Sequence, residues 1–143
     1  MLDDAYFMRL ALQEAHKAKE QDEVPVGCIV VSESRIVAKS HNLTQTLNDV
    51  TAHAEMQAIT AAAEYLGGKY LRNCTMYITL EPCTMCAGAL SWSQITRVVY
   101  GARDLRRGYQ HFGLSLHPKT KVEGGVLEEE CSQLLLEFFR SKR

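Results

Sequence analysis

Apolar positions recur at three- and four-residue steps over residues 3–20, where Met8, Ala11, Leu12 and Ala15 share a face, and this spacing predicts a helix. Pro25 and Gly27 end that region. Residues 26–32 and 35–40 are rich in strand-forming types and flank Glu33-Ser34, which predicts an antiparallel pair. The polar stretch 41–51 reads as a loop. Residues 52–66 are alanine-rich and stop at Gly67-Gly68, a helix terminator. A strand is predicted over 75–80, then a short helix over 83–92 with Pro82 at its first turn. Further strands are expected over 96–101 and near 119–123. Between them, residues 102–118 carry Gly108, Gly113 and Pro118 without a sustained period and read as irregular. Leu127, Cys131, Leu134, Leu135 and Phe138 share the face of a last helix, with Glu128, Glu129 and Glu130 where they suit its dipole. Helices alternating with strands predict an α/β domain with helices on both faces of a sheet.

The 143 residues suit one domain over 1–143, and 46% hydrophobic content supplies a real core. No run of about 18 apolar residues is present, so no membrane span is expected. The N-terminus, MLDDAYFMRL, is acidic from its third residue and lacks an apolar leader core, which predicts a cytoplasmic protein. Five cysteines, an odd number, argue against a disulfide framework in that setting. Cys28, Cys74 and Cys131 lie among apolar neighbours and are expected to be core residues.

Two short motifs carry the chemistry. Cys83 and Cys86 form a C-x-x-C, which alone fits either a metal site or a redox pair. Placed one turn apart at the start of a helix, both thiols point the same way, and the helix terminus favours the metal-binding thiolate form. His53, thirty residues earlier, opens the other candidate helix and adds a neutral imidazole. One histidine and two cysteines make three zinc ligands, and three rather than four protein ligands mark a catalytic centre. Glu55 is not needed as a fourth ligand and is suited to moving protons beside the metal. Residues two apart diverge by about 200° within a helix, so His53 and Glu55 converge only if the helix starts near His53, with Thr51 as a candidate cap. The combination H-x-E followed by P-C-x-x-C is the signature of zinc deaminases.

The segments EVPVGCIVV (23–31), TAHAEMQAI (51–59), MYITLEPCTMCAGAL (76–90) and RVVYGARD (97–104) resemble the bacterial tRNA-specific adenosine deaminases of the cytidine deaminase-like superfamily, and the basic, aromatic ending LLLEFFRSKR (134–143) agrees. The resemblance covers most of the chain. It implies a three-layer α/β/α fold with a central mixed five-stranded sheet. It also implies one zinc per subunit held by His53, Cys83 and Cys86, with Glu55 as proton shuttle. Substrate would meet Asn42 (hydrogen-bonding the flipped base), the Ala54 backbone, and Asp104 near the sugar. The implied reaction is hydrolytic deamination of adenosine to inosine at the wobble position of a tRNA anticodon stem-loop, by a homodimer. This sequence departs from the usual bacterial pattern in residues 105–124, which are several residues shorter and lack an Ala-Gly-Ser run.

A net charge of −1 excludes an indiscriminate coat of nucleic acid, yet the charge is divided. Arg97, Arg103, Arg106, Arg107, Lys119 and Lys121 face one acid, Asp104, over residues 97–121, and Arg140, Lys142 and Arg143 finish the chain. With Tyr109, His111 and Phe112 interleaved, this stripe is a candidate for pairing phosphates and stacking bases, led by Arg103, Arg106, Arg107, Arg140, Lys142 and Arg143. The rival reading is a deaminase of a free base or nucleoside (guanine, cytosine or cytidine), which would share every zinc-site residue. A non-catalytic zinc module leaves Glu55 without a role. A redox protein leaves both His53 and Glu55 unexplained.

Overall fold

The Asp3 carboxylate accepts the amide N–H of Tyr6 at 2.8 Å and so caps the first helix, α1 (Asp4–Glu20). A computed structural model describes residues 2–142 of the protein. After α1 follow strands β1 (Gly27–Ser32) and β2 (Arg35–His41), helix α2 (Ala54–Leu66), strand β3 (Cys74–Leu80) and helix α3 (Thr84–Ser93). Strands β4 (Arg97–Ala102) and β5 (Lys121–Glu123) and helix α4 (Glu128–Arg140) complete the order. Glu33 and Ser34 join β1 to β2 with φ of 51° and 64°, the left-handed pair of a primed hairpin turn.

The strands form one sheet in the order β2-β1-β3-β4-β5. β1 is antiparallel to β2 and β3, whereas β3, β4 and β5 run parallel, so the sheet is mixed. Alternation along the strands serves two cores. Cys74, Met76 and Ile78 of β3 join Ala54, Ala58 and Ala62 of α2 and Leu90 of α3 on one face. Tyr77 of β3 and Ile29 of β1 join Phe7, Met8 and Ala11 of α1 and Cys131 of α4 on the other. The result is the expected three-layer α/β/α architecture. Gly27 permits the closest approach: a Cβ there would collide with the Ala11 carbonyl oxygen and the Ala15 amide nitrogen.

Several expectations need correction. Thr51 does not cap α2; His53 does, with an extended backbone at φ −70° and ψ 154°. Thr51 instead donates to Asp49 through both its amide and its hydroxyl, at 2.8 Å each. Likewise Cys83 is the cap of α3, so Pro82 precedes the cap rather than standing in the first turn. Residues 102–118 contain a short 3-10 turn, Tyr109–Phe112, and Tyr109 is buried in the core, unable to stack on a base. Arg97 leaves the basic stripe too. Its guanidinium grips Asp4 at 2.8 and 2.6 Å, and Tyr77 Oη donates to the same carboxylate at 2.8 Å, tying α1 to the sheet. The Arg97 bond holds the Asp4 carboxyl below its usual range. Cys28, Cys74 and Cys131 are buried and free, as expected. Among the described residues, no helix is long and apolar enough to cross a membrane.

Candidate active site

Parallel strands β3 and β4 end side by side, Leu80 opposite Ala102, and α2 and α3 begin just beyond them. Open α/β sheets collect ligands at such carboxyl ends. Here a cavity of about 840 Å³ opens, and His53, Glu55 and Cys83 line it.

Both helix starts deliver a ligand from the cap position. The extended backbone at His53 turns its ring toward α3, and the following residue, Ala54, is the first helical one. That half-helical geometry is what allows His53 and Glu55 to converge. The start of α2 is tethered to β2: Ser40 Oγ donates to the Ala54 carbonyl at 2.6 Å, and Gln57 Nε2 donates to the His41 carbonyl at 2.7 Å. Cys83 occupies the equivalent position in α3, and its carbonyl accepts the Ala87 amide at 2.8 Å.

His53 Nδ1 lies 3.6 Å from Cys83 Sγ and 3.6 Å from Cys86 Sγ. All three ligand atoms fall within 4.8 Å of one another. A tetrahedral zinc with bonds of about 2.3 Å to sulfur and 2.0–2.1 Å to nitrogen sets an S···N edge of roughly 3.6 Å. The donor set and its spacing therefore fit zinc. Hydrogen bonding from the Cys86 thiol, opposed by burial and reinforced by His53, brings the Cys83 thiol down to about 4. The same bond, with burial, pushes Cys86 up. His53 is raised by its bond to Cys83. The protein alone thus favours one thiolate, and a divalent cation supplies the charge that makes the second thiolate favourable.

Glu55 is 4% exposed and is no member of the ligand triangle. Burial raises its carboxyl to about 7, against hydrogen bonding to its own amide; the neighbouring Cys83 charge adds to the rise. A buried carboxyl near neutrality beside a metal triangle is equipped to take up and return a proton.

The cavity wall brings together more of the predicted residues. Asn42, Ala54, Arg103, Asp104, Arg106 and Arg107 all line it. Asn42 is buried, accepting the Thr44 amide at 3.3 Å and donating to the Val24 carbonyl at 3.4 Å. Asp104 Oδ1 accepts the amides of Arg106 at 3.1 Å and Arg107 at 2.9 Å, so it shapes its own loop as well as facing the cavity. Arg140 is exposed and does not line the cavity. Lys142 lies outside it too and pairs with Asp22. Arg143 lies outside the described residues.

Sequence reasoning missed other wall residues. Leu135, Leu136 and Phe139 of α4 close one side, where the helical period alone marked Leu135 as core. Glu23, fully buried, accepts the Gln45 amide at 3.0 Å and the Thr46 amide and hydroxyl at 2.6 and 2.7 Å, fixing the loop after Asn42. Glu81 holds the opposite loop. The available signal was an acid two residues before proline in EVP and one before it in EPC, and it says nothing about which distant amides the acid meets.

Residues 1–102 match the family model described as the cytidine and deoxycytidylate deaminase zinc-binding region. The chain is 45% identical over 149 aligned positions to the tRNA-specific adenosine deaminase of Agrobacterium fabrum, covering 100% of this chain and 98% of that protein. A solved structure from work on A-to-I editing by tRNA:A34 deaminases at the wobble position of transfer RNA is similar, with TM-score 0.84 and 44% identity, covering 91% of this chain and 99% of that one. The guanine deaminase of Bacillus subtilis superposes less fully, with TM-score 0.70 and 32% identity over 80% of this chain and 72% of its own.

Proposed function

The chain belongs to the cytidine and deoxycytidylate deaminase zinc-binding family, and from that premise we propose that it hydrolyses adenosine to inosine at the wobble position of a tRNA anticodon loop. The observation that carries this reading is the meeting of His53, Cys83, Cys86 and the non-ligating Glu55 in one arginine-rimmed cavity. The full-length likeness to tRNA-specific adenosine deaminases favours an RNA substrate over a free base or nucleoside.

His53, Cys83 and Cys86 hold the zinc. When bound, the metal supplies Lewis-acid activation of a water. Glu55 takes one proton from the water that attacks purine C6 and passes it to N1, then takes the remaining hydroxyl proton and passes it to the departing amine, so adenosine and water become inosine and ammonia. Asn42 and the Ala54 backbone hold the base, and Asp104 stands toward the sugar. The target base must leave its stack to reach a site this deep, and an anticodon loop presents it unpaired.

Arg103, Arg106 and Arg107 are exposed and line the cavity, as does the exposed ring of Phe139. They attract the phosphates on either side of the target nucleotide. We extend the reading to a cytoplasmic homodimer, in which the exposed Tyr65 and Trp92 near the ends of α2 and α3, with Tyr70 in the segment after α2, offer a face to a second copy.

Two measurements test this. Incubating the purified protein with total tRNA and sequencing the product should show inosine at the wobble position, while free guanine, cytosine and cytidine stay intact. Turnover of the small substrates with no inosine in tRNA would transfer the assignment to them. Stem-loop binding should also weaken steeply with salt. Three arginine contacts give a log–log slope of about −2 on a single-stranded loop, and each Arg→Ala change removes about 0.7 of it. A flat salt profile would refute the arginine assignment.

A further inference from the structure

We propose that Glu81 is a positioning residue: its buried carboxylate folds the Arg103–Gln110 wall of the cavity onto the cysteine loop, and so sets how substrate is held without touching the metal. The kinetic part of this inference rests on the deaminase reading above.

Glu81 is 2% exposed and stands two residues before Cys83. Its own amide donates to the Ala102 carbonyl at 2.8 Å, which places the carboxylate between the ends of β3 and β4. Oε1 accepts the Asp104 amide at 3.0 Å. Oε2 accepts the Gln110 amide at 3.1 Å and Gln110 Nε2 at 3.2 Å. Arg103 Nε approaches Oε1 at 3.7 Å. Every partner of the carboxylate lies in the Arg103–Gln110 segment, which also carries Arg106 and Arg107.

The backbone completes the attachment. The Tyr109 amide donates to the Pro82 carbonyl at 3.0 Å, and Cys83 pairs with Gly108 in an isolated antiparallel bridge. A Cβ on Gly108 would collide with the Asp104 carbonyl oxygen and with the Glu81 carboxyl carbon, so the two loops meet with no space between them. A buried carboxylate is costly without donors, and these amides are its donors. Conversely, the wall amides would turn to water without it. Each loop therefore specifies the other, and the wall that meets substrate is registered against a zinc ligand by an acid that neither binds zinc nor moves a proton.

Glu81→Gln preserves shape but sets an NH2 against wall N–H groups that need an acceptor. The expected result is a KM for an anticodon stem-loop raised about tenfold, the scale of one lost buried hydrogen bond, with kcat within about threefold. Zinc should stay at one per chain, and hydrogen exchange should quicken at the Asp104 and Gln110 amides while α3 keeps its protection. Glu81→Asp, which keeps the charge but is one methylene shorter, should recover part of the KM. Gln110→Ala, at an exposed position, removes one donor with little risk to folding and should raise KM by a smaller factor. Loss of zinc in Glu81→Gln, a fall in kcat at unchanged KM, or unaltered exchange at Asp104 and Gln110 would each overturn the proposal. If the wild-type protein does not act on the stem-loop, the deaminase reading fails, and the exchange measurement still decides the structural role of Glu81.

Discussion

Replacing Glu55 with glutamine is expected to leave one zinc per chain and to lower kcat on an anticodon stem-loop by about 10²–10⁴-fold or more. The geometry separates the two roles cleanly. The ligand triangle is complete without Glu55, which stands one helical residue beyond Ala54. Its carboxyl is buried beside Cys86, where no other acid of the described residues joins the triangle to take over proton transfer. Glutamine keeps the volume and one acceptor oxygen, so the cavity should hold its shape and KM should change little. Alanine should give the same loss of turnover, with the added loss of packing around a buried side chain. Metal analysis alongside single-turnover inosine formation checks this. A Gln variant with near-normal rate would remove Glu55 from the proton path, and a variant that loses zinc would make it part of the metal support instead.

Most of what the sequence discloses here is local in the chain. The three-and-four spacing of α1 and α4, the hairpin at Glu33-Ser34 and the glycine stop of α2 are all set by neighbours within a few residues, and all appear in the fold. The zinc ligands are legible for a related reason. His53 and the Cys83/Cys86 pair are scarce residue types at a restrictive spacing, and their side chains meet in space. What the sequence hides is chosen by tertiary contact. Arg97 reads as one more cation in a basic stretch until Asp4, in the first turn of the chain, is seen to hold it. Tyr109 reads as a stacking aromatic until the cysteine loop folds over it. The caps of α2 and α3 fall on His53 and Cys83, types with no capping preference, because the metal-binding geometry needs extended backbone there more than the helices need a capping side chain. Glu23 and Glu81 are the extreme case. Each is a buried acid whose role depends on donors more than twenty residues away.

Stripping the metal is the second large effect expected. Chelation should abolish turnover and lower Tm, and zinc added back should restore both. The reason lies in how the site is built. α2 and α3 each start at a ligand, so His53, Cys83 and Cys86 join two helix termini that otherwise meet through loops and the alanine-rich face of α2. Without the cation, a thiolate at Cys83, a raised thiol at Cys86 and the Glu55 carboxyl crowd one buried place with only His53 to balance them. A metal present at about a thousand times its Kd stabilises the folded state by about 4 kcal/mol, which for a chain of this size is a Tm shift of roughly 8–16 °C. Cys86→Ser should reproduce the chelated state, since a hydroxyl is a poor ligand beside a thiolate and an imidazole. Magnesium should fail to rescue either quantity, because it prefers an all-oxygen shell. Scanning calorimetry of wild type, Cys86→Ser and Glu55→Gln, each with and without chelator, separates the terms. Wild type and Glu55→Gln should lose Tm on chelation, and Cys86→Ser should start low and stay there. Metal-free wild type that keeps both its Tm and its turnover would show that the His53, Cys83, Cys86 triangle neither braces the fold nor serves the reaction.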